Sequence, residues 1–286
     1  MMRVAATIVM AVLSCTAGAA PLAPALSPAE ISALLASPDR SDVDRTNDIR
    51  RRPAEMLAFI GVRPGMVALD VSAGGGYTTE LLARAVGPSG RVYGQSVPRD
   101  PNRVVPTPAA PEGAAAPTAA TPMSMSASAA SVPARISPRT SAMALAERAK
   151  KPAAANIVAV VQPFENPAPA ELASNGFDLV TLMFNYHDLG FLGADRARMN
   201  AAVFAALKPG GVYVIADHSG RPGTGISESG TLHRVEEAFL QREVEAAGFR
   251  LDAEGLFLRN PGDPRDRNTP DPPQPKDEFV LRFVKP

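Results

Sequence analysis

The stretch Met66–Glu80, M-V-A-L-D-V-S-A-G-G-G-Y-T-T-E, constrains the fold more than any other part of the chain. An apolar run, Val67 to Leu69, ends in an acid, Asp70; Gly74 to Gly76 follow, and a helical pattern opens with Leu81, Leu82 and Ala85. A strand that enters a glycine-rich turn and leaves it as a helix aims backbone N–H groups and a positive helix end at one point in space. Asp70 stands close enough to accept hydrogen bonds from a ligand there, or to hold the loop's own amides. Two phosphate-binding loops of this kind do not fit. A Walker loop needs a lysine after its glycines, and none follows. The dinucleotide fingerprint G-x-G-x-x-G keeps only its first two glycines, with Thr79 where the third belongs.

The chain beyond this loop alternates between two periodicities. Asn156–Gln162, Phe177–Phe184 and Gly211–Asp217 are continuous apolar runs rich in Val and Ile, the pattern of strands covered on both faces. Gly90–Gln95 reads as a second strand, and Phe249–Leu258 and Glu278–Val284 as the last two. Helical patterns cover Pro53–Ile60, Ala142–Lys151, Asp195–Leu207 and Gly230–Ala247, the last opened by His233. Strands and helices in alternation predict an α/β fold with a parallel, doubly wound sheet. Ahead of it, Leu26–Leu35 predicts a short helix with Ser27 as N-cap and Pro28 at its first position. The charged stretch Asp39–Pro53 fails as a calcium loop, because Asn47 stands at the glycine position and Pro53 at that of the bidentate Glu. It reads as a solvated segment with internal ion pairs.

Composition sets the remaining boundaries. With 29 basic and 29 acidic residues the formal charge is zero, which gives no nucleic-acid footprint. The many prolines gather in Val97–Ala142, an Ala/Pro/Ser-rich stretch without aromatic residues that predicts a disordered insertion. Arg3, the apolar Val4–Leu13 and the small residues Ser14–Ala20 have the layout of a secretory signal peptide, with Ala17-Gly18-Ala19 as a cleavage site. V-L-S-C around Cys15, the single cysteine, also resembles a bacterial lipobox and offers a lipid anchor. The expected organisation is a signal peptide over 1–19, a helical and charged extension over 20–52, and one domain over 53–286 interrupted by the insertion at 97–142. The expected location is outside the cytosol, periplasmic or secreted.

The acid-then-glycine pattern resembles motif I of class I S-adenosylmethionine-dependent methyltransferases, usually D/E-x-G-x-G-x-G and here Asp70, Ser72, Gly74 and Gly76. F-D-L-V running into N-Y-H-D (Asn185–Asp188) and L-K-P-G-G-V (Leu207–Val212) extend the resemblance to most of the chain after Pro53. The segments A-D-H-S, T-L-H-R, E-A-A-G-F and L-R-N-P-G-D-P-R-D are similar to those of exported bacterial proteins described as predicted methyltransferases. The resemblance implies a Rossmann-like, seven-stranded sheet with an antiparallel last strand, S-adenosylmethionine as cofactor, and methyl transfer to a small-molecule acceptor. It also implies cofactor contacts from Asp70, Ser72, Gly74, Gly76 and Asn185. The second strand usually ends in an acid for the ribose hydroxyls; Gln95 and Ser96 stand there, and a neutral partner gives about 0.5–1.5 kcal/mol where a charged one gives about 1.5–3. A non-catalytic ligand-binding module on the same fold is the alternative.

In an open parallel sheet, ligands lie beyond the carboxyl ends of the strands. Two of the three histidines, His187 and His218, fall at those tips, with His233 nearby. His187 is the first candidate for a base or an acceptor-orienting group, positioned by Asp217 or Asp188; a histidine that only hydrogen-bonds the loop fits as well. His218 is a second catalytic candidate, also open to a structural role. His187, Asp188, Asp217 and His218 are ligand types suited to zinc, iron or manganese, but no HExxH or other tight spacing joins them, so the sequence assigns no metal. Phe164 is a candidate to stack on adenine, or a core residue. The proline-rich connection Arg259–Lys276 should overhang the site, with Arg265 and Arg267 able to meet an anion.

Overall fold

The computed structural model describes residues 23–98, 140–268 and 275–286. The leader at 1–19 and the body of the insertion, 99–139, lie outside the described residues. In chain order the elements are α1 (Pro28–Leu35), α2 (Asp42–Arg51), α3 (Pro53–Ile60), β1 (Val67–Val71), α4 (Tyr77–Val86), β2 (Arg91–Ser96), α5 (Ser141–Arg148) and β3 (Ile157–Val161). They continue with β4 (Phe177–Met183), α6 (Tyr186–Phe191), α7 (Arg196–Ala206), β5 (Leu207–His218), α8 (Glu237–Ala246), β6 (Arg250–Gly255) and β7 (Glu278–Val284). Among the described residues no helix is long and apolar enough to cross a membrane.

The strands form one seven-stranded sheet in the order β3-β2-β1-β4-β5-β7-β6. All neighbours are parallel except β7, which runs antiparallel to both β5 and β6. The chain winds outward from β1 through β2 to β3, then returns to β4 on the other side of β1. Order therefore reverses between β1 and β4, which puts a crevice at their carboxyl ends. Asp70 of β1 lies there, in register with Gly94 of β2 and Thr181 of β4.

Side-chain alternation sets what Asp70 meets. Leu69 and Val71 join the core under α7 and α8, with Val203, Leu240 and Phe283. Ala68 joins the opposite core, with Leu57 of α3 and Leu82 of α4. With a period of two, Asp70 follows Ala68 to the α4 side. Both cores are buried, so every residue of β1 after Val67 is inaccessible.

Three local features depart from the sequence reading. The charged stretch keeps one internal ion pair, Arg40 with Asp48, but forms helix α2, capped by Ser41, and Asp44 is only 2% exposed, paired with Arg148 of α5. Asn185–Asp188 opens a short helix, α6, instead of ending a plain loop. The segment from Gly230 is not helical before Glu237: Val235 makes a β-bridge with Ser219, and His233 has φ +52°. That bridge holds the backbone extended where hydrophobic spacing alone suggested helix. The capped α1, with a reciprocal Ser27–Glu30 box, and α3 ending on left-handed Gly61 follow their sequence signals.

Candidate functional site

The glycine loop takes left-handed backbone at alternate positions: φ is +58° at Ser72, +55° at Gly74 and +80° at Gly76. Ser72 therefore carries a strain of about 1–2 kcal/mol that glycine would not. The loop is tied down from β2. Gln95 accepts a hydrogen bond from the Ser72 amide (2.8 Å) and donates to the Gln162 carbonyl (2.6 Å), with no exposure. Its side chain is spent inside the protein, so the ribose role expected of Gln95 is not open to it. The Ala73 amide adds a bond to the Gln95 carbonyl. Helix α5 backs the loop, with Ser141 donating to the Gly74 carbonyl and Arg148 to the Gly75 carbonyl, both at 2.6 Å.

Asp70 lies beneath the loop, 2% exposed, and accepts hydroxyl hydrogen bonds from Thr79 (2.6 Å) and Thr181 (2.7 Å). Burial pushes its carboxyl up to about 6, with the two threonines pulling the other way. Above the loop sits α2, fixed by Tyr77 to Asp48 (2.6 Å), Arg40 to both oxygens of Asp48 (2.7 Å) and Arg148 to both oxygens of Asp44 (2.8 Å). Arg51 projects from its last turn, with its guanidinium carbon 3.8 Å from the Phe184 ring centre. It makes no hydrogen bond or ion pair among the described residues, and burial lowers it to about 10. Asn47, Arg51, Asp70, Ser72, Tyr77 and Asn185 line the resulting cavity of about 260 Å³. A larger hollow of about 680 Å³ beside Arg84, Arg91 and Asn156 is at the amino ends of β2 and β3, away from the crevice. Among the loop glycines, a Cβ at Gly75 would meet nothing within 4 Å, so the turn is open on that side.

The three histidines converge beside this cavity, with ring centres 5.3 Å apart for His187 and His218 and 5.6 Å for His187 and His233. Asp217, fully buried, fixes His187 twice: Oδ2 accepts from its amide (2.8 Å) and Oδ1 lies 2.5 Å from Nδ1. The other ring nitrogen, Nε2, is 3.1 Å from Asp188 Oδ1. Burial alone would lower the imidazolium; Asp217 and Asp188 outweigh it and raise it to about 9. His187 therefore holds its proton at neutral pH, which suits an orienting group better than a base. A chain of hydrogen bonds links this cluster to the glycine loop, from Ser72 Oγ to Asn185 Oδ1 (2.6 Å) and from Asn185 Nδ2 to Asp188 Oδ2 (3.0 Å).

His218 plays a different part. Burial drives it well below its usual range, so it is neutral. Its Nδ1 lies 2.9 Å from Glu278 Oε1 but without hydrogen-bonding alignment. Burial also raises Glu278 to about 7, with Arg50 (3.0 Å) opposing. The folded state then keeps a proton on Glu278 that the unfolded chain releases near 4.5, so stability falls as pH rises from about 4.5 to 7. Glu278→Gln should remove that loss: its melting temperature should gain on the parent's across this window and level off above it. The shift, already net of the half-exposed Arg50 pair, corresponds to about 3 kcal/mol. A difference that stays flat with pH in thermal unfolding would count against the assignment.

Two sequence candidates lie elsewhere. Phe164 is 7% exposed and packed in the core with Leu69 and Phe177, which leaves no face for adenine. Arg265 is paired with Asp277 at 2.7 Å. Arg51, Thr79 and Thr181 were not singled out from sequence. Arg51 had one signal, the run Arg50–Arg52 placed one turn past Asp48, a surplus of positive charge that local acids cannot absorb.

The strand order, the reversed β7 and the glycine turn after β1 define a class I methyltransferase fold. The family model of protein-L-isoaspartate(D-aspartate) O-methyltransferase matches residues 37–101, which run from before α2 to past β2. Among solved structures, the chain is similar to a SAM-dependent methyltransferase from Aquifex aeolicus, with 17% identity, a TM-score of 0.54, and coverage of 91% of this chain and 100% of that one. An arsenic(III) S-adenosylmethionine methyltransferase from Chlamydomonas reinhardtii aligns with 17% identity and a TM-score of 0.50 over 91% of this chain and 74% of that one. The [4+2]-cyclase SpnF aligns at the same identity and TM-score over 82% of each chain. At these identities the likeness is one of fold. No curated protein matches.

Proposed function

We propose that the chain is a methyltransferase that takes its methyl group from S-adenosylmethionine and passes it to a small-molecule acceptor. The observation that carries this reading is the cavity over the glycine loop, lined by Asp70 and by Arg51, whose guanidinium makes no hydrogen bond or ion pair among the described residues. An anion and an unpaired cation on one small cavity suit the ammonium and carboxylate of an α-amino acid, which is the tail of this cofactor. Asp70, already held by Thr79 and Thr181 beneath the loop, would attract the ammonium through its charge, and Arg51, stacked on Phe184, would take the carboxylate. The cofactor supplies an electrophilic methyl on a sulfonium. Displacement from it needs alignment above all, and the Ser72–Asn185–Asp188 chain gives the acceptor side a fixed place relative to the loop. His187, held by Asp217, orients the acceptor there.

Calorimetry of S-adenosylmethionine and S-adenosylhomocysteine with the full chain tests this reading. Heat with one site per chain is expected, and no heat at millimolar ligand would end it. A second reading, a ligand-binding module without turnover, is favoured by Gln95, whose amide is occupied. It predicts cofactor binding with no S-adenosylhomocysteine released in the presence of any acceptor mixture. The proposal extends to location: residues 1–19 would carry the domain out of the cytosol, which cell fractionation and sequencing of the mature N-terminus would test.

A further inference from the structure

We propose that His187, Asp188 and His233 form a binding site for one divalent transition-metal ion of the zinc, iron(II) or manganese(II) class. Each offers one ligand atom, and these atoms lie within 4.8 Å of one another. Asp188 Oδ1 is 3.1 Å from His187 Nε2 and 2.9 Å from His233 Nδ1. Two ligands on adjacent corners of an octahedron with bonds of about 2.1 Å are about 3.0 Å apart, so both edges already have the right length. Two imidazoles, which are borderline donors, together with one carboxylate, a hard donor, suit this class of ion, and three positions of the octahedron remain for water or a ligand.

The surroundings hold the three donors in that pose. Asp217 Oδ1 sits on His187 Nδ1 at 2.5 Å, which directs Nε2 toward Asp188 in the carboxylate–histidine arrangement that supports metal ligands; an ion there would displace the proton that Nε2 holds in the ion-free protein. Asn185 Nδ2 holds Asp188 Oδ2 at 3.0 Å, which leaves Oδ1 between the two rings. Ser229 Oγ donates to the His187 carbonyl at 2.5 Å and accepts from the Phe191 amide at 2.8 Å, which anchors α6. His233 keeps a left-handed φ of +52°, a strain of about 1–2 kcal/mol for a non-glycine residue, and its ring reaches Asp188 from that turn. The chain has only three histidines, and two of them fall on this one carboxylate from segments 46 positions apart, 233 less 187.

The ion site stands independently of methyl transfer. Its use rests on the methyltransferase reading: the open positions would take an oxygen of the acceptor, so the acceptor class is a hydroxyl or carboxylate compound able to ligate a metal. For a hydroxyl acceptor, coordination would ease loss of the O–H proton to solvent, the new bond would form from that oxygen to the methyl carbon, and the carbon–sulfur bond would break to leave a neutral thioether.

The test uses the full chain without a polyhistidine tag, stripped with chelator and titrated with Zn²⁺ in a calorimeter, with metal content measured after gel filtration. One zinc per chain should be retained. His233→Ala and Asp188→Asn should each weaken binding tenfold or more, and Asp217→Asn about tenfold through the His187 ring. His218→Gln, whose ring is outside the ligand set, should change affinity less than threefold. No retained zinc, or an equal loss in His218→Gln, would overturn the site. Should the variants fail to fold, the Co²⁺ spectrum of the stripped parent decides: visible bands displaced from those of the aqueous ion support imidazole ligation, and an aqueous spectrum refutes it. S-adenosylmethionine titrated into the same stripped protein reports the glycine-loop site separately, so either proposal can fail alone.

Discussion

Arg51→Met should weaken S-adenosylmethionine binding by about thirtyfold or more, at the lower end of the 2–5 kcal/mol that truncating one partner of a desolvated charge pair costs. The same substitution should leave the folded state at least as stable as the parent. Arg51 has no counter-ion among the described residues, and burial disfavours its charge, so removing it relieves a cost in the ligand-free protein. Methionine keeps the contact with Phe184. Calorimetry with the cofactor and urea unfolding without it would separate the two effects. Unchanged affinity would show that the guanidinium faces something other than the bound amino-acid tail, while a large stability loss would make Arg51 a structural residue.

Gly76→Ala should destabilise the domain by about 2–5 kcal/mol, the sum of a left-handed penalty of about 1–2 and an overpacking cost of about 1–3. At φ +80° an added Cβ would stand 2.7 Å from both the Arg148 Cδ and the Leu145 Cδ2. Leu145 is fully buried and Arg148 holds Asp44 and Glu80, so neither can retreat freely. Gly74→Ala is the internal comparison: its φ is +55°, but its nearest neighbour would be the Ser72 carbonyl at 3.9 Å, so only the backbone penalty applies. Urea midpoints for the two variants should differ by at least 1 kcal/mol after conversion, in that order. Equal midpoints would mean that α5 is not seated on the loop.

The centre of the sheet was legible because β1 and β4 are covered on both faces and read as mainly apolar runs, Val67–Val71 and Phe177–Met183, while the outer strand β3, expected to be covered likewise, leaves Ala159 and Val161 exposed. The glycine turn was legible for a backbone reason, since Gly74 and Gly76 occupy conformations that side chains resist. Contacts that depend on where two distant segments meet were not. Gln95 looks like a ligand group at a strand tip, and only the approach of the Ser72 amide and the Gln162 carbonyl shows that both ends of its amide are engaged. Phe164 looks equally good on a stacking face or in the core, and packing decides. The stretch Asp42–Arg51 carries so many charges that it reads as solvated. Asp48 finds Arg40 close by, but Asp44 pairs with Arg148 more than a hundred positions away, and no local pattern announces that. His233 came close to the other two histidines through a bridge that interrupts an otherwise helical spacing.

The seating of α2 has one more consequence. A chain begun at Pro53 would contain every strand, but one hydrophobic layer would lose Ile31 and Arg148 would lose its partner Asp44. It would lack Asn47 and Arg51, the upper wall of the cavity, and its glycine turn would face open water. The residues ahead of Pro53 thus serve the hydrophobic layer and the cavity at once, and truncation there should cost both stability and grip on a ligand.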